Sequence, residues 1–231
     1  MLHVKNLSVT YPDGHKALSD VTFTLHDGER VALIGANGAG KSSLIRAIMG
    51  LLPISDGEVA VDGISLSKRT ARDIRRMVGV VFQNPDDQLF MTRVYDDVAF
   101  GPRNMGLSED AVAERVNSAL AQLDISRLKD RMSDRLSVGE KRMAGIASVL
   151  SMSPGALLLD EPSSSLDPRA RRILITTLRS LPQAALIATH DLDLVKRLCT
   201  RVIVLQDGML SAEGNSDDIL FDEKKLEQFG L

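Results

Sequence analysis

Gly35-Ala36-Asn37-Gly38-Ala39-Gly40-Lys41-Ser42 follows the apolar run Val31-Ala32-Leu33-Ile34 and opens the helix-like segment Ser43-Leu44-Ile45-Arg46-Ala47-Ile48-Met49. A strand, a glycine-rich loop and a helix in that order separate a working phosphate loop from a chance match to G-x-x-x-x-G-K-[ST]. Three glycines let the backbone turn tightly and aim its N–H groups at phosphate oxygens. The helix N-terminus adds partial positive charge at the same place. Lys41 reaches the β- and γ-phosphates in this reading, and the Ser42 hydroxyl ligates Mg²⁺. Nucleotide binding is the expectation that the rest of the chain must fit.

The 231 residues suffice for one large domain, or for a core with one inserted subdomain. With 28 basic and 31 acidic residues the charge is near balance. No basic block and few aromatics speak against a nucleic-acid surface. The one cysteine, Cys199, excludes an internal disulfide, fits a reducing compartment and reads as core filler beside Leu192 and Val195. Met1-Leu2-His3-Val4-Lys5 is no signal peptide, and no apolar run approaches spanning length. A soluble chain is expected, which reaches a membrane by docking on a partner.

Residues 2–10, 21–25 and 57–61 read as strands of an antiparallel β-subdomain, the first two separated by the turn Tyr11-Pro12-Asp13-Gly14. Tyr11 reads either as an aromatic covering the sheet or as a ring that stacks on adenine. Met77 to Phe82 suits a strand buried on both faces, and Gln83 then follows at the edge where ligands bind in open α/β sheets. Residues 86–152 are expected to be mostly helical. Ser108 is an N-cap, with Val112, Val116, Ala119, Leu120 and Leu123 on one apolar face. Ser137 and Glu140 have capping-box spacing at the start of a helix running to about Ser151, and that N-terminus is also an anion site.

Gly155 to Leu159 is another buried strand, delivering Asp160 and Glu161 to its carboxyl end, an arrangement suited to Mg²⁺ plus a water-activating base. Asp167-Pro168 starts a helix whose buried stripe is Ile173, Leu174, Leu178 and Leu181. Ala184 to Thr189 is a further buried strand, so His190 shares the crevice of Gln83 and Asp160. His3, His15 and His26 lie in or near polar turns and read as solvated. Gln206-Asp207-Gly208 marks a hairpin, and the tail from Ser216 reads as one or two short helices.

Taken together, the chain resembles the nucleotide-binding subunits of ATP-binding-cassette (ABC) transporters over its full length and in motif order. The phosphate loop is Gly35–Ser42, the glutamine loop is centred on Gln83, and the signature is Leu136–Glu140. The acidic strand end Asp160-Glu161, the loop Ser164-Ser165-Leu166-Asp167 and the switch histidine His190 follow. The implied fold is α/β: a P-loop NTPase core with a parallel-rich central sheet, an antiparallel β-subdomain and an inserted helical subdomain. Core and β-subdomain span about 1–85 and 153–215, the helical subdomain about 86–152, and a short tail about 216–231. Phe82 to Phe90, with Asp97-Val98-Ala99-Phe100-Gly101-Pro102, is similar to the energy-coupling-factor branch, which imports vitamins and transition-metal ions. Residues 136–141 and 189–194 resemble its cobalt/nickel uptake group. Val138 and Glu140 stand where the superfamily usually has Gly and Gln, and a branched side chain at 138 narrows the approach unless it points away. A dimerisation extension, common in this branch, is not expected here.

The resemblance implies a head-to-tail pair, with identical subunits permitted, that sandwiches two ATP molecules. Asn37, Gly38, Ala39, Gly40, Lys41, Ser42 and Ser43 cradle the phosphates, and Tyr11 meets the adenine. Ser42 and Asp160 position Mg²⁺, with Gln83 completing the shell. Glu161 activates the attacking water, and His190 contacts the γ-phosphate. Ser137, Gly139 and Glu140 act on the partner's nucleotide, and Asp167 links the two sites. The implied partners are a second ATPase subunit, a transmembrane coupling subunit and a substrate-binding membrane subunit, which hold the chain at the cytoplasmic face of the membrane. The alternatives are a vitamin importer of the same type, or an ABC ATPase working on nucleic acid or the ribosome.

Overall fold

The computed structural model describes residues 1–220, 226, 227 and 229. Strands β1 (Leu2–Thr10), β2 (Lys16–Leu25) and β3 (Arg30–Ile34) lead into helix α1 (Lys41–Ile48). Next come β4 (Asp56–Val61), β5 (Ile64–Ser65), α2 (Ala71–Met77) and β6 (Val78–Val81). Helices α3 (Val94–Asn104), α4 (Glu109–Gln122) and α5 (Val138–Leu150) form the middle of the chain. The remainder alternates: β7 (Ala156–Asp160), α6 (Pro168–Ser180), β8 (Ala184–Ala188), α7 (Leu192–Leu198), β9 (Arg201–Gln206), β10 (Met209–Asn215) and α8 (Ser216–Leu220).

Two sheets result. The smaller is antiparallel in the order β2-β1-β4-β5, and the larger runs β10-β9-β3-β8-β7-β6. All neighbours in the larger sheet pair in parallel except the β10 edge strand. Strands β6, β7 and β8 are buried at every residue, which is why they read as unbroken apolar runs. Alternate residues of the large sheet feed two separate cores, as a period of two requires. Ala32, Ile34, Leu157, Leu159, Ala185 and Ile187 pack with helices α3 to α7. Val31, Leu33, Leu158, Leu186 and Ala188 pack with α1 and the small sheet. The sheet order brings the carboxyl ends of β3, β6, β7 and β8 to one edge, which decides where the chemistry lies.

Several local expectations change. The second strand begins at Lys16, not at 21. Its pairing with β1 shifts register between Val21 and Leu18, where Asp20 takes a left-handed φ of 54°, and this interruption hides the alternation. Met77 ends α2 rather than starting a strand. Ile173 is 47% exposed, and the buried stripe of α6 is Leu174, Ile175, Leu178 and Leu181. The caps at Ser108, Ser137 and Asp167 form as read. In the tail α8 is a short helix, residues 226 and 227 are also helical, and residues 221–225, 228 and 230–231 lie outside the described residues. Among the described residues no helix is long and apolar enough to cross a membrane.

Candidate functional site

The loop after β3 is shaped by contacts that admit no side chain. A Cβ at Gly35 (φ 154°) would lie 2.2 Å from the Leu205 carbonyl oxygen, and one at Gly40 (φ 106°) would lie 2.8 Å from that of Ala17. Gly40 is the N-cap of α1 and supplies no side-chain cap. The first-turn N–H groups of α1 therefore face a cavity of about 410 Å³. Asn37, Gly38, Gly40, Lys41, Ser42 and Ser43 line it together with Gln83, Asp160, Glu161 and His190. Four strand ends thus converge on one space.

Its charges are set by burial. Lys41 is buried, and its Nζ donates to the carbonyls of Gly35 (2.7 Å) and Ala36 (3.1 Å). Burial lowers its pKa, while Glu161 and Asp160 work in the opposite direction. Asp160 is pushed upward by burial, against a hydrogen bond from Ser42. Its Oδ1 is buried with no hydrogen-bond partner. Beside the Ser42 hydroxyl and the Gln83 amide, that carboxylate oxygen fits a hard, oxygen-seeking cation such as Mg²⁺, which takes one or two protein ligands plus substrate phosphates.

Glu161 is buried and adopts φ 46°, uncommon for a residue with a Cβ. Its backbone N–H donates to Ala188 O at 2.8 Å. Glu161 Oε2 lies 2.9 Å from His190 Nδ1, and Thr189 Oγ1 donates to it at 3.4 Å. His190 is exposed and stands at the cavity mouth. A carboxylate and an imidazole in contact, across from a lysine and open helix amides, can activate a water and stabilise charge on a phosphate.

Gln83 is placed by Arg142, which the motifs do not include, and by Gln88, to which they assign no role. Arg142 of α5, fully buried, donates to the carbonyls of Phe82 (2.6 Å) and Gln83 (2.7 Å). Gln88 Oε1 accepts the Phe82 N–H at 3.2 Å, while its Nε2 donates to Gly145 O at 2.8 Å. His15 and Ala17 also line the cavity, although His15 read as a solvated turn residue. Tyr11 and Ala39 are not among its wall residues. Tyr11 stacks on His15 with ring centroids 6.2 Å apart, and its hydroxyl is 3.1 Å from Ser43 Oγ. The Ala39 N–H donates within the loop to Ala36 O.

Ser137, Gly139, Glu140 and Asp167 lie elsewhere, on a second cavity of about 640 Å³ that shares no wall residue with the first. There the capping box closes: Ser137 Oγ accepts the Glu140 N–H at 3.3 Å, and Glu140 Oε2 accepts the Ser137 N–H at 3.1 Å. That backbone bond, helped by Arg131 and Arg127, holds the Glu140 carboxyl below its ordinary range. Val138 is 47% exposed and is not among the residues lining this cavity. Gly139 packs tightly on α6, where a Cβ would come 3.0 Å from that of Ala170.

Known proteins resemble this chain in sequence and in fold. The family described as ABC transporter matches residues 18–164. The energy-coupling factor transporter ATP-binding protein EcfA of Carboxydothermus hydrogenoformans is 41% identical, over 100% of this chain and 86% of that protein. Among solved structures, cbiO1 from Clostridium perfringens, part of the ABC transporter complex cbiONQ, has a TM-score of 0.87 at 37% identity. That match covers 98% of this chain and 93% of that one. The dimeric ATP-binding cassette MJ0796 bound to ADP and Pi has a TM-score of 0.83 at 26% identity, covering 94% and 99%. With a glycine-shaped phosphate loop facing an acidic strand end, and likeness along its whole length, the chain belongs to the ABC transporter family as an ATPase subunit that uses ATP and Mg²⁺.

Proposed function

We propose that this chain drives an energy-coupling-factor importer of a micronutrient, with cobalt or nickel ion as the cargo, by closing and opening as a pair around ATP. The observation that carries the paired mechanism is the separation of the phosphate-loop and signature residues onto two cavities without a common wall residue. One copy completes the site of the other. Lys41 and the loop from Asn37 to Ser43 hold the β- and γ-phosphates. Ser42, Asp160 and Gln83 hold Mg²⁺, which when bound neutralises charge on the phosphate oxygens. Glu161 takes the proton of the attacking water, and His190, in contact with Glu161, faces the γ-phosphate. Ser137 and Gly139 meet the partner's nucleotide, Glu140 steadies that helix end, and Asp167 joins the two sites. Because the γ-phosphate meets the partner's signature helix only in the closed pair, hydrolysis releases those added contacts and the pair opens.

The motion needs a membrane partner. Beside the glutamine loop lies an apolar groove of about 480 Å³, with Phe90 (60% exposed) and Phe100 edge to face at 4.9 Å. A groove of this kind suits an apolar helix tip from a transmembrane subunit. The likeness to EcfA and cbiO1 supports the energy-coupling-factor transporter, and the metal cargo rests on the likeness of residues 136–141 and 189–194 to the cobalt/nickel uptake group. Purification from native membranes, with identification of the attached subunits and metal analysis, tests both parts. Two integral membrane subunits and stoichiometric cobalt or nickel are expected. A bound vitamin in place of metal would overturn the cargo, and recovery with nucleic acid or ribosomes would overturn the importer.

A further inference from the structure

His190 is held from two sides, and only one belongs to the sheet. On the strand side, Thr189 donates its N–H to Leu33 O at 3.1 Å, and its hydroxyl oxygen accepts the Asp191 N–H at 3.0 Å. On the other side the fastening is Asp191, whose Oδ1 accepts the Leu194 N–H at 3.0 Å and caps α7. Arg171 of α6 grips the same carboxylate in fork geometry. Its Nε donates to Oδ2 at 2.6 Å, its second terminal nitrogen donates to Oδ1, and the remaining one reaches Asp193 Oδ2 at 2.8 Å. Bidentate, charge-assisted bonds of this type are directional, and these side chains are partly shielded from water. Burial pushes the Asp191 carboxyl up, but the bonds from Arg171, Leu194 and Ser163 outweigh it and hold the group below its ordinary range.

Helix α6 carries this grip back to its own start. Asp167 caps it, accepting the N–H groups of Arg169 (2.8 Å) and Ala170 (2.9 Å), and the Arg171 N–H donates to Asp167 O at 2.9 Å. Asp167 and Arg171 therefore sit one turn apart on a rigid helix end. We infer that Arg171 is a positioning residue for ATP hydrolysis, which fastens Asp191 so that His190 stays on Glu161 and ties that loop to the Asp167 end of α6. The inference rests on the nucleotide-site reading above. Contact of a second copy with Asp167 would then reach His190 through one helical turn and one ion pair.

The test is a double-mutant cycle on the full chain, with ATP affinity and single-turnover hydrolysis measured for Arg171→Ala, His190→Ala and the double variant. Arg171→Ala is expected to slow hydrolysis about tenfold to a hundredfold, the scale of a displaced catalytic group. ATP affinity should stay within about twofold. In the His190→Ala background the same change should cost nothing further, because its target is gone. An equal loss in both backgrounds, or a rate unchanged in the single variant, overturns the inference. Arg171→Lys keeps the charge without the fork and should fall between wild type and alanine. It also replaces alanine in the cycle if that variant does not fold. Lys41→Ala separates the two readings: if it binds ATP as wild type does, the nucleotide site is misassigned, whatever Arg171 does.

Discussion

The phosphate-loop cavity and the signature cavity each face the N-terminus of a helix, yet the two helix ends are finished in opposite ways. At α1 the cap is Gly40, with no side-chain cap bond and no acid in the first turn. Its orphan N–H groups and the positive end of the dipole are left for an anion. At α5 the capping box satisfies two of those groups internally, and Glu140 places a negative charge in the first turn, balanced by Arg127 and Arg131. The first cavity is thus organised to bind phosphate by itself. The second is lined by Ser137, whose hydroxyl is engaged with Glu140 in the capping box, and by the tightly packed Gly139 turn. In the proposed function it meets the nucleotide of another copy. Under the proposed function, a division of this kind would make binding local and hydrolysis cooperative.

The sharpest way to break the contrast is Glu161→Gln. Removing the base should slow hydrolysis about a thousandfold while ATP still binds, and an ATP-saturated sample should sediment as a dimer. Near-normal turnover in a colorimetric phosphate assay would refute the assigned base. Next in size, Lys41→Ala should weaken ATP binding about a hundredfold or more in equilibrium titration, since it strips a buried cation from its anionic partners. Ser137→Ala should leave binding to the isolated chain unchanged and lower turnover about tenfold. Equal effects on binding would erase the distinction between the cavities.

Asp160 supplies a smaller, thermal readout. Burial raises its pKa above the ordinary 3.8, so the unfolded chain gives up this proton at lower pH than the folded one. Its contribution to stability is intact below about pH 4 and falls as pH rises through the folded value. Asp160→Asn should therefore raise the nucleotide-free Tm at pH 7 by about 2–4 °C, what ~1 kcal/mol gives in a chain of this size. The gain should fade in acid, and Mg²⁺-dependent hydrolysis should be lost. A lower Tm at pH 7 would show that the lone Oδ1 is not a stability cost. The smallest effect belongs to Val138→Gly, which restores the usual signature residue. With Val138 outside the cavity wall, turnover should change less than about twofold, and Tm should fall slightly through lost helix propensity.

Much of the site was legible because short-range rules operate there. The spacing of Gly35, Gly40 and Lys41 specifies a loop, and unbroken apolar runs specify buried strands, with Asp160 the last residue of one and His190 beyond the end of another. Ser108, Ser137 and Asp167 obey capping chemistry within three or four residues. Other features depend on distant partners. Ile173 and Ile175 are equally apolar, and only the packing of α6 exposes the first and buries the second. Arg142 carries no local signal in the sequence, yet it is buried, where it donates to the two carbonyls that follow strand β6. His15 lines the nucleotide cavity because the small sheet packs over α1, an arrangement that no turn signal encodes.

The sequence alone determined the local chemistry of this protein: a phosphate loop, paired acids at a strand end, a histidine after a strand and a capped signature helix. Each of these depends on neighbours within about one turn of helix or one strand. The tertiary structure decided which of them meet. The order β9-β3-β8-β7-β6 gathers Lys41, Gln83, Glu161 and His190 at one edge and leaves Ser137 and Asp167 on another face. Strand order is set by burial of both faces of the sheet, a property of the whole chain that no single segment carries.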